Sequence, residues 1–222
     1  MRICKHFKEM PATRGALIVF EGCDRSGKTT QCKKLVEYLM SKNISSKYIN
    51  FPDRGTHIGK LINSYLSSEQ DLDDHVIHLL FTANRWEANK KMLNLLKQGT
   101  TLIVDRYSYS GTAFSSAKGL NLKWCQSPEV GLPKPDLVIL LTMTKEAIAK
   151  RSGYGDERYE TPELQQKVMQ YFQELKESDT AKWLEIDADK SIDELQGELQ
   201  LIIMKAIAEV GNRDIKELWN DK

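Results

Sequence analysis

Apolar residues along this chain follow two alternating rhythms. Ala16-Leu17-Ile18-Val19-Phe20, Thr100-Thr101-Leu102-Ile103-Val104 and the run from Asp136 to Leu141 are short and nearly continuous, as strands covered on both faces are. Ser45 to Phe51 and Trp183 to Ile186 are two further strand candidates. Between them the spacing changes to three and four. Cys32, Leu35, Val36, Leu39 and Met40 make one stripe of a helix that begins at about Gly27. A short helix is predicted from about Ile58 to Leu66, and a longer one from about Leu72 to Lys97 with a core stripe of Leu72, Val76, Leu79, Leu80, Ala83 and Leu93. Thr161 to Lys176 reads as a helix with Pro162 in its first turn. Ile192, Leu195, Leu199, Ile202, Ile203 and Ala206 mark the last. Strand alternating with helix predicts an α/β fold, a three-layer sandwich around a parallel five-stranded sheet.

Composition narrows the picture. A chain of 222 residues and 25.4 kDa fits one domain, taken as 14–222, with residues 1–13 as a disordered extension. That extension is basic but short and carries Glu9 and Pro11, which suits a mitochondrial targeting segment poorly. Thirty-two basic against 31 acidic residues leave a net charge of +1, so nothing points to nucleic acid or an anionic membrane as partner. Cys4, Cys23, Cys32 and Cys125 show neither zinc spacing nor a disulfide framework. They favour a reducing compartment, the cytoplasm, with nuclear or mitochondrial pools compatible. No apolar stretch approaches the roughly 18 to 20 residues of a membrane span.

The chemistry begins at Gly22-Cys23-Asp24-Arg25-Ser26-Gly27-Lys28-Thr29, a G-x-x-x-x-G-K-[ST] stretch between a predicted strand and a predicted helix. Its glycines let backbone N–H groups approach phosphate oxygens, and the helix N-terminus favours an anion. Lys28 supplies charge for β- and γ-phosphates, and the Thr29 hydroxyl can ligate Mg²⁺. Asp105, at the end of a strand, stands where a P-loop enzyme holds Mg²⁺, although a carboxylate there can equally cap a helix. Arg54, in the Phe51-Pro52-Asp53-Arg54-Gly55 loop, is a candidate for a second anion. His78, Phe81 and Arg85 share the helix face opposite Val76 and Leu80. A base-stacking platform and a contact with another helix or subunit both fit that placement. Lys150 to Glu160 is charged and glycine-punctuated, as a mobile lid carrying Arg151 and Arg158 would be. An exposed polar connection has the same composition. Whether the Cys23 thiol is reactive turns on its surroundings.

Several blocks in consistent order resemble thymidylate kinase of the eukaryotic and poxvirus type. These are Arg14 to Gly22 with Asp24 to Gln31, Phe51-Pro52, Leu79-Leu80-Phe81, Ala83-Asn84-Arg85-Trp86-Glu87, Asp105-Arg106-Tyr107, Gly131-Leu132-Pro133-Lys134-Pro135-Asp136 and Glu157-Arg158-Tyr159-Glu160. Glu217-Leu218-Trp219 resembles the family's terminus. The resemblance implies transfer of the ATP γ-phosphoryl group to dTMP, with Mg²⁺ at Thr29 and Asp105, by a homodimer. It implies an ATP site of Gly22, Asp24, Arg25, Ser26, Gly27, Lys28, Thr29, Thr30 and Arg151. The dTMP site implied is Asp24, Phe51, Arg54, Phe81, Arg85, Arg106, Ser110, Gly111, Phe114, Tyr159 and Gln165. Catalysis would fall to Asp24, Arg25, Lys28, Arg106, Arg151 and Arg158.

The residues alone leave rivals. A GTP switch shares the P-loop, but no Asn-Lys-x-Asp stretch reads guanine. A kinase for another nucleoside monophosphate, such as UMP, remains open. A catalytically dead P-loop module fits poorly with intact Lys28, Thr29 and Asp105. No catalytic base is needed if the acceptor is already a phosphate anion.

Overall fold

The computed structural model describes residues 14–144, 158–211 and 213–220. Five parallel strands form one sheet: β1 (Leu17–Gly22), β2 (Ser46–Asn50), β3 (Thr101–Asp105), β4 (Leu137–Thr142) and β5 (Trp183–Asp187), in the order β2-β3-β1-β4-β5. The predicted α/β sandwich is therefore the fold, and the strands fall within a residue or two of their predicted bounds. β1 pairs with β3 on one side, Val19 opposite Val104, and with β4 on the other, Val19 opposite Val138. The chain reverses direction across the sheet at this strand, and in an open α/β sheet the crevice beyond that reversal is where ligands bind.

Alternation along the central strands supplies both cores. Leu17 and Val19 of β1, with Leu102, Val104, Val138 and Leu140, face one layer of helices: α2 (His57–Leu66), α3 (Asp74–Lys97), α4 (Ser108–Ala117) and α6 (Pro162–Ser178). Ile18, Phe20, Ile103, Ile139 and Leu141 face the other layer, α1 (Lys28–Ser41) and α7 (Ile192–Val210). A short helix, α5 (Leu122–Gln126), and a 3₁₀ turn (Ser127–Glu129) follow α4. Local chemistry sets the helix starts. Thr56, Thr161 and Ser191 accept hydrogen bonds from the first-turn amides of α2, α6 and α7, and Ser191 and Glu194 form a reciprocal capping box.

One expectation holds only in part. Of the stripe assigned to the core of α3, Leu72 and Leu80 pack on the first core, but Val76 and Leu79 are 46% and 45% exposed. The helix instead buries Ile77, His78, Thr82, Asn84, Arg85, Met92 and Leu96. Periodicity locates two faces but reads the more apolar one as inward. Here the inward face mixes Ile77, Met92 and Leu96 with polar residues that are tolerated because they find partners in neighbouring elements: His78 in Ser115 and Cys125, Arg85 in Glu129, Asn84 in Asp53 and Thr56.

Past α7, the chain returns to the first core. Gly131 N donates to Leu218 O and Leu218 N to Leu132 O, and Leu218 is fully buried. The Arg14 guanidinium forms a bidentate pair with Asp136, while Arg14 Nε donates to Arg213 O at 2.6 Å.

Candidate active site

The strand tips around β1 open on a cavity of about 830 Å³. Its floor is the loop between β1 and α1. Gly22 has φ +135°, and a Cβ there would lie 2.3 Å from the Leu141 carbonyl oxygen, so β4 could not pack as closely against any other residue. Lys28 Nζ curls back into this loop, donating to Gly22 O at 3.1 Å, Cys23 O at 2.6 Å and Ser26 Oγ at 3.2 Å. Burial, and then the nearby Arg106, bring its pKa down to about 8. Thr29 Oγ1 donates to Asp105 Oδ2 at 2.5 Å, and Tyr48 OH reaches the same oxygen at 3.3 Å. One carboxylate and one hydroxyl are hard oxygen donors that fit a Mg²⁺ keeping most of its ligands as water and phosphate. Among the described residues no group of three His, Cys, Asp or Glu side chains could hold a metal unaided.

Two arginines flank the loop, each with a backbone that non-glycine residues rarely adopt: φ +63° at Arg25 and +64° at Arg106. Arg25 pairs with Glu160, Nε to Oε1 at 3.2 Å. Arg106 donates to Gly22 O at 3.1 Å, Ser110 Oγ at 2.9 Å and Asp24 Oδ1 at 2.5 Å, and its guanidinium lies over the Phe114 ring. Gln165 completes the set, donating to Asp24 Oδ2 at 2.8 Å and accepting from Asp24 N. Burial works against ionising Asp24, but Arg106, Lys28 and the Gln165 bond together hold its pKa below the ordinary carboxylate value. Burial pushes the Cys23 thiol up to about 11, so it stays protonated and is a poor nucleophile.

The far wall is aromatic and polar together. Phe51, Phe81, Phe114 and Tyr159 line it with Arg54, Arg85, Ser110 and Gly111. Phe114 and Tyr159 stack with ring centres 5.5 Å apart. Phe81 is half-buried and also packs on the first core, so it belongs to both. Arg54 Nη1 donates to Asn63 Oδ1 at the exposed lip. Gly22, Ser26 and Gln165 stand behind the lining, in the bonds just described. Arg158 does not join the P-loop arginine. Its backbone N donates to Leu66 O and its guanidinium to Tyr65 O and Asp71, with the Tyr65 ring 4.2 Å beneath it, which ties it to the end of α2. Arg151 and most of the expected lid lie outside the described residues. Gly27, Thr29 and Thr30 line the cavity, and the structure brings Asp24, Arg25, Lys28, Arg54, Phe81, Arg85, Asp105 and Arg106 around one space.

Three residues that sequence reading passed over organise this space. Glu21, fully buried, accepts from Tyr107 N, Ser110 N and Ser110 Oγ, anchoring the first turn of α4, and burial raises its pKa to about 6. Asn84 fastens the Arg54 loop through Asp53 N at 2.7 Å and Asp53 O at 3.2 Å. Glu129 holds Arg85. Each lies far along the chain from what it holds. Glu21 beside the P-loop and Asn84 within the Ala83 to Glu87 block were the visible signals.

Comparison with known proteins gives a consistent result. A family model described as "Thymidylate kinase" matches residues 20–199. The chain is 50% identical over 208 residues to the thymidylate kinase of Arabidopsis thaliana, covering 93% of this chain and 78% of that one. It is 47% and 46% identical to those of Danio rerio and Homo sapiens, over 95% of this chain and all of theirs. The solved thymidylate kinase of Candida albicans, whose structure is described as revealing the origin of its broad substrate specificity, superposes with a TM-score of 0.82. It is 42% identical, over 93% of this chain and 99% of that one.

Proposed function

The chain belongs to the thymidylate kinase family and transfers the terminal phosphoryl group of ATP to dTMP, giving dTDP and ADP, and on that premise we propose how the cavity divides between its two substrates. The ATP phosphates lie along the P-loop amides and Lys28, and Arg25 meets the phosphoryl group in transit. The dTMP phosphate lies between Arg106 and Arg54. Asp24 receives the sugar 3′-hydroxyl, with Gln165 and Arg106 fixing its carboxylate. Tyr159, Phe114, Phe51, Ser110 and Gly111 wall the sugar and base, Phe81 stacks on thymine, and Arg85 bonds its carbonyl edge. The observation that carries this division is one cavity lined by Lys28, Thr29, Arg106, Phe81 and Arg85. Within it Arg106 bonds both Gly22 O of the P-loop, as Lys28 does, and Ser110, next to the Gly111 that abuts Arg85.

Phosphoryl transfer asks the protein for alignment and charge stabilisation rather than covalent chemistry. Arg106 contributes both, since it binds the acceptor phosphate and touches the P-loop through Gly22 O. The acceptor oxygen is already anionic, so no base is required. Thr29 and Asp105 would hold Mg²⁺, which when bound offsets phosphate charge. The contacts of Arg158 support an anchoring role at the base of the lid. Val76, Leu79 and Trp86 on the outer face of α3 support a homodimer through that helix. The three cysteines among the described residues, Cys23, Cys32 and Cys125, are buried and free, which is compatible with a reducing compartment such as the cytoplasm.

Turnover of ATP with dTMP, UMP, CMP and AMP in parallel tests the reading, which expects dTMP to dominate. Arg25→Ala should lower kcat about 100-fold with little change in the KM for dTMP, as expected of a group acting mainly in the transition state. A wild-type kcat would remove Arg25 from that role.

A further inference from the structure

Behind the base end of the cavity, Glu129 is a completely buried carboxylate that accepts from side chains of both α3 and α4. Arg85 Nε donates to its Oε1 at 3.0 Å and Oε2 at 2.9 Å, and Arg85 Nη2 donates to Oε1 as well. Thr82 Oγ1 donates to Oε1 and Ser108 Oγ to Oε2, both at 2.8 Å. The side chains of the pair are 3% and 0% exposed, yet Arg85 lines the cavity. Helix α4 comes close enough to hold the guanidinium because position 111 is glycine: a Cβ there would lie 2.4 Å from Nη2. His78 borders the same group, hydrogen-bonded to Ser115 Oγ and Cys125 O. Burial and then Arg85 lower its pKa, so it adds no second positive charge.

An isolated arginine on a flexible stem can swing its donors to suit several partners. A guanidinium locked edge-on to a carboxylate presents one fixed edge. We propose that Glu129 sets base specificity by pinning the Nε edge of Arg85, so that Nη1 and the outer proton of Nη2 meet the base as donors only. Such an edge matches a carbonyl oxygen at pyrimidine C4 and opposes an amino group there. Because the ion pair is neutral overall, it also places no uncompensated charge against a neutral ring. The proposal rests on the assignment of Arg85 to the base made above, and it makes Glu129 a positioning residue that acts through Arg85.

The test measures kcat and KM at saturating ATP for dTMP, dUMP and dCMP, in the wild type and in Glu129→Gln, Glu129→Asp, Thr82→Val and Arg85→Lys. Glu129→Gln should raise the KM for dTMP roughly 10- to 100-fold with kcat within about threefold, the signature of lost binding rather than lost chemistry. Its preference for dTMP over dCMP should fall about tenfold, while dTMP over dUMP, both with a C4 carbonyl, stays unchanged. Glu129→Asp should recover part of the loss. If Glu129→Gln does not fold, Thr82→Val removes one hydroxyl from the carboxylate and should raise the KM for dTMP about threefold. An unchanged KM in whichever of these two variants folds overturns the proposal, and a lowered melting temperature with unchanged KM reduces Glu129 to a structural role. If Arg85→Lys raises the KM while the Glu129 variants do not, the inference fails and the base assignment stands. If Arg85→Lys leaves it unchanged, both fail.

Discussion

Burial lowers the pKa of Lys28 to about 8 because its ammonium is cut off from water, with the Arg106 charge adding to the shift against the opposing carboxylates of Asp24 and Asp105. Between pH 8 and the ordinary lysine value, the unfolded chain keeps a proton that the folded one has lost. Folding therefore gains stability from this group as pH rises through that window. Catalysis has the opposite sense, since the neutral amine cannot hold phosphate. The profile of kcat/KM for ATP, which reports the free enzyme, should fall above about pH 8, while that of kcat falls only at higher pH because bound phosphate favours the charged form. Equal limbs in both profiles would contradict this. The glycine-lysine motif made the place of Lys28 and Thr29 at the cavity between β1 and α1 legible in advance. Its spacing could not show that Lys28 turns back onto its own loop, nor that Glu21 and Glu129 hold the arginines' neighbourhood. A buried carboxylate is indistinguishable in sequence from a surface one until its partners, 89 residues away for Glu21 and Ser110, are brought to it.

At the scale of elements, α3 connects the two halves of the proposed acceptor site. Its inner face carries Phe81 and Arg85, and one turn of it carries Asn84, whose amide spans Asp53 and Thr56 and so fixes both the Arg54 loop and the start of α2. Asn84→Ala would leave Asp53 N without its bond and free the loop. The expected result is a KM for dTMP raised about tenfold, with the KM for ATP unchanged, since small misplacements of a binding group are costly. Equal effects on both substrates would show a general loss of structure instead. The existence, order and approximate bounds of the strands and long helices were legible because their periods are strong. The facing of α3 was not fully legible, since its buried polar residues are satisfied by groups from α4, α5 and the 3₁₀ turn, while Val76, Leu79 and Trp86 stay on its exposed side.

For the whole molecule, that exposed side has a direct consequence. Val76, Leu79 and Trp86 of α3 leave apolar surface that a second copy would cover in the proposed dimer. Leu79→Glu should then give a monomer at micromolar concentration by sedimentation, with the melting temperature of the isolated chain little changed. A dimer that persists in the variant would place the interface elsewhere. The Arg14 side chain touches the Arg213 carbonyl, so the segment ahead of β1 lies within a side chain's reach of the one that follows α7. A chain cut after Arg213 would lose Leu218, which is fully buried and bonded through its backbone to Gly131 and Leu132. This truncation should lower the melting temperature by several degrees in thermal denaturation, and an unchanged melting temperature would show the strap to be dispensable.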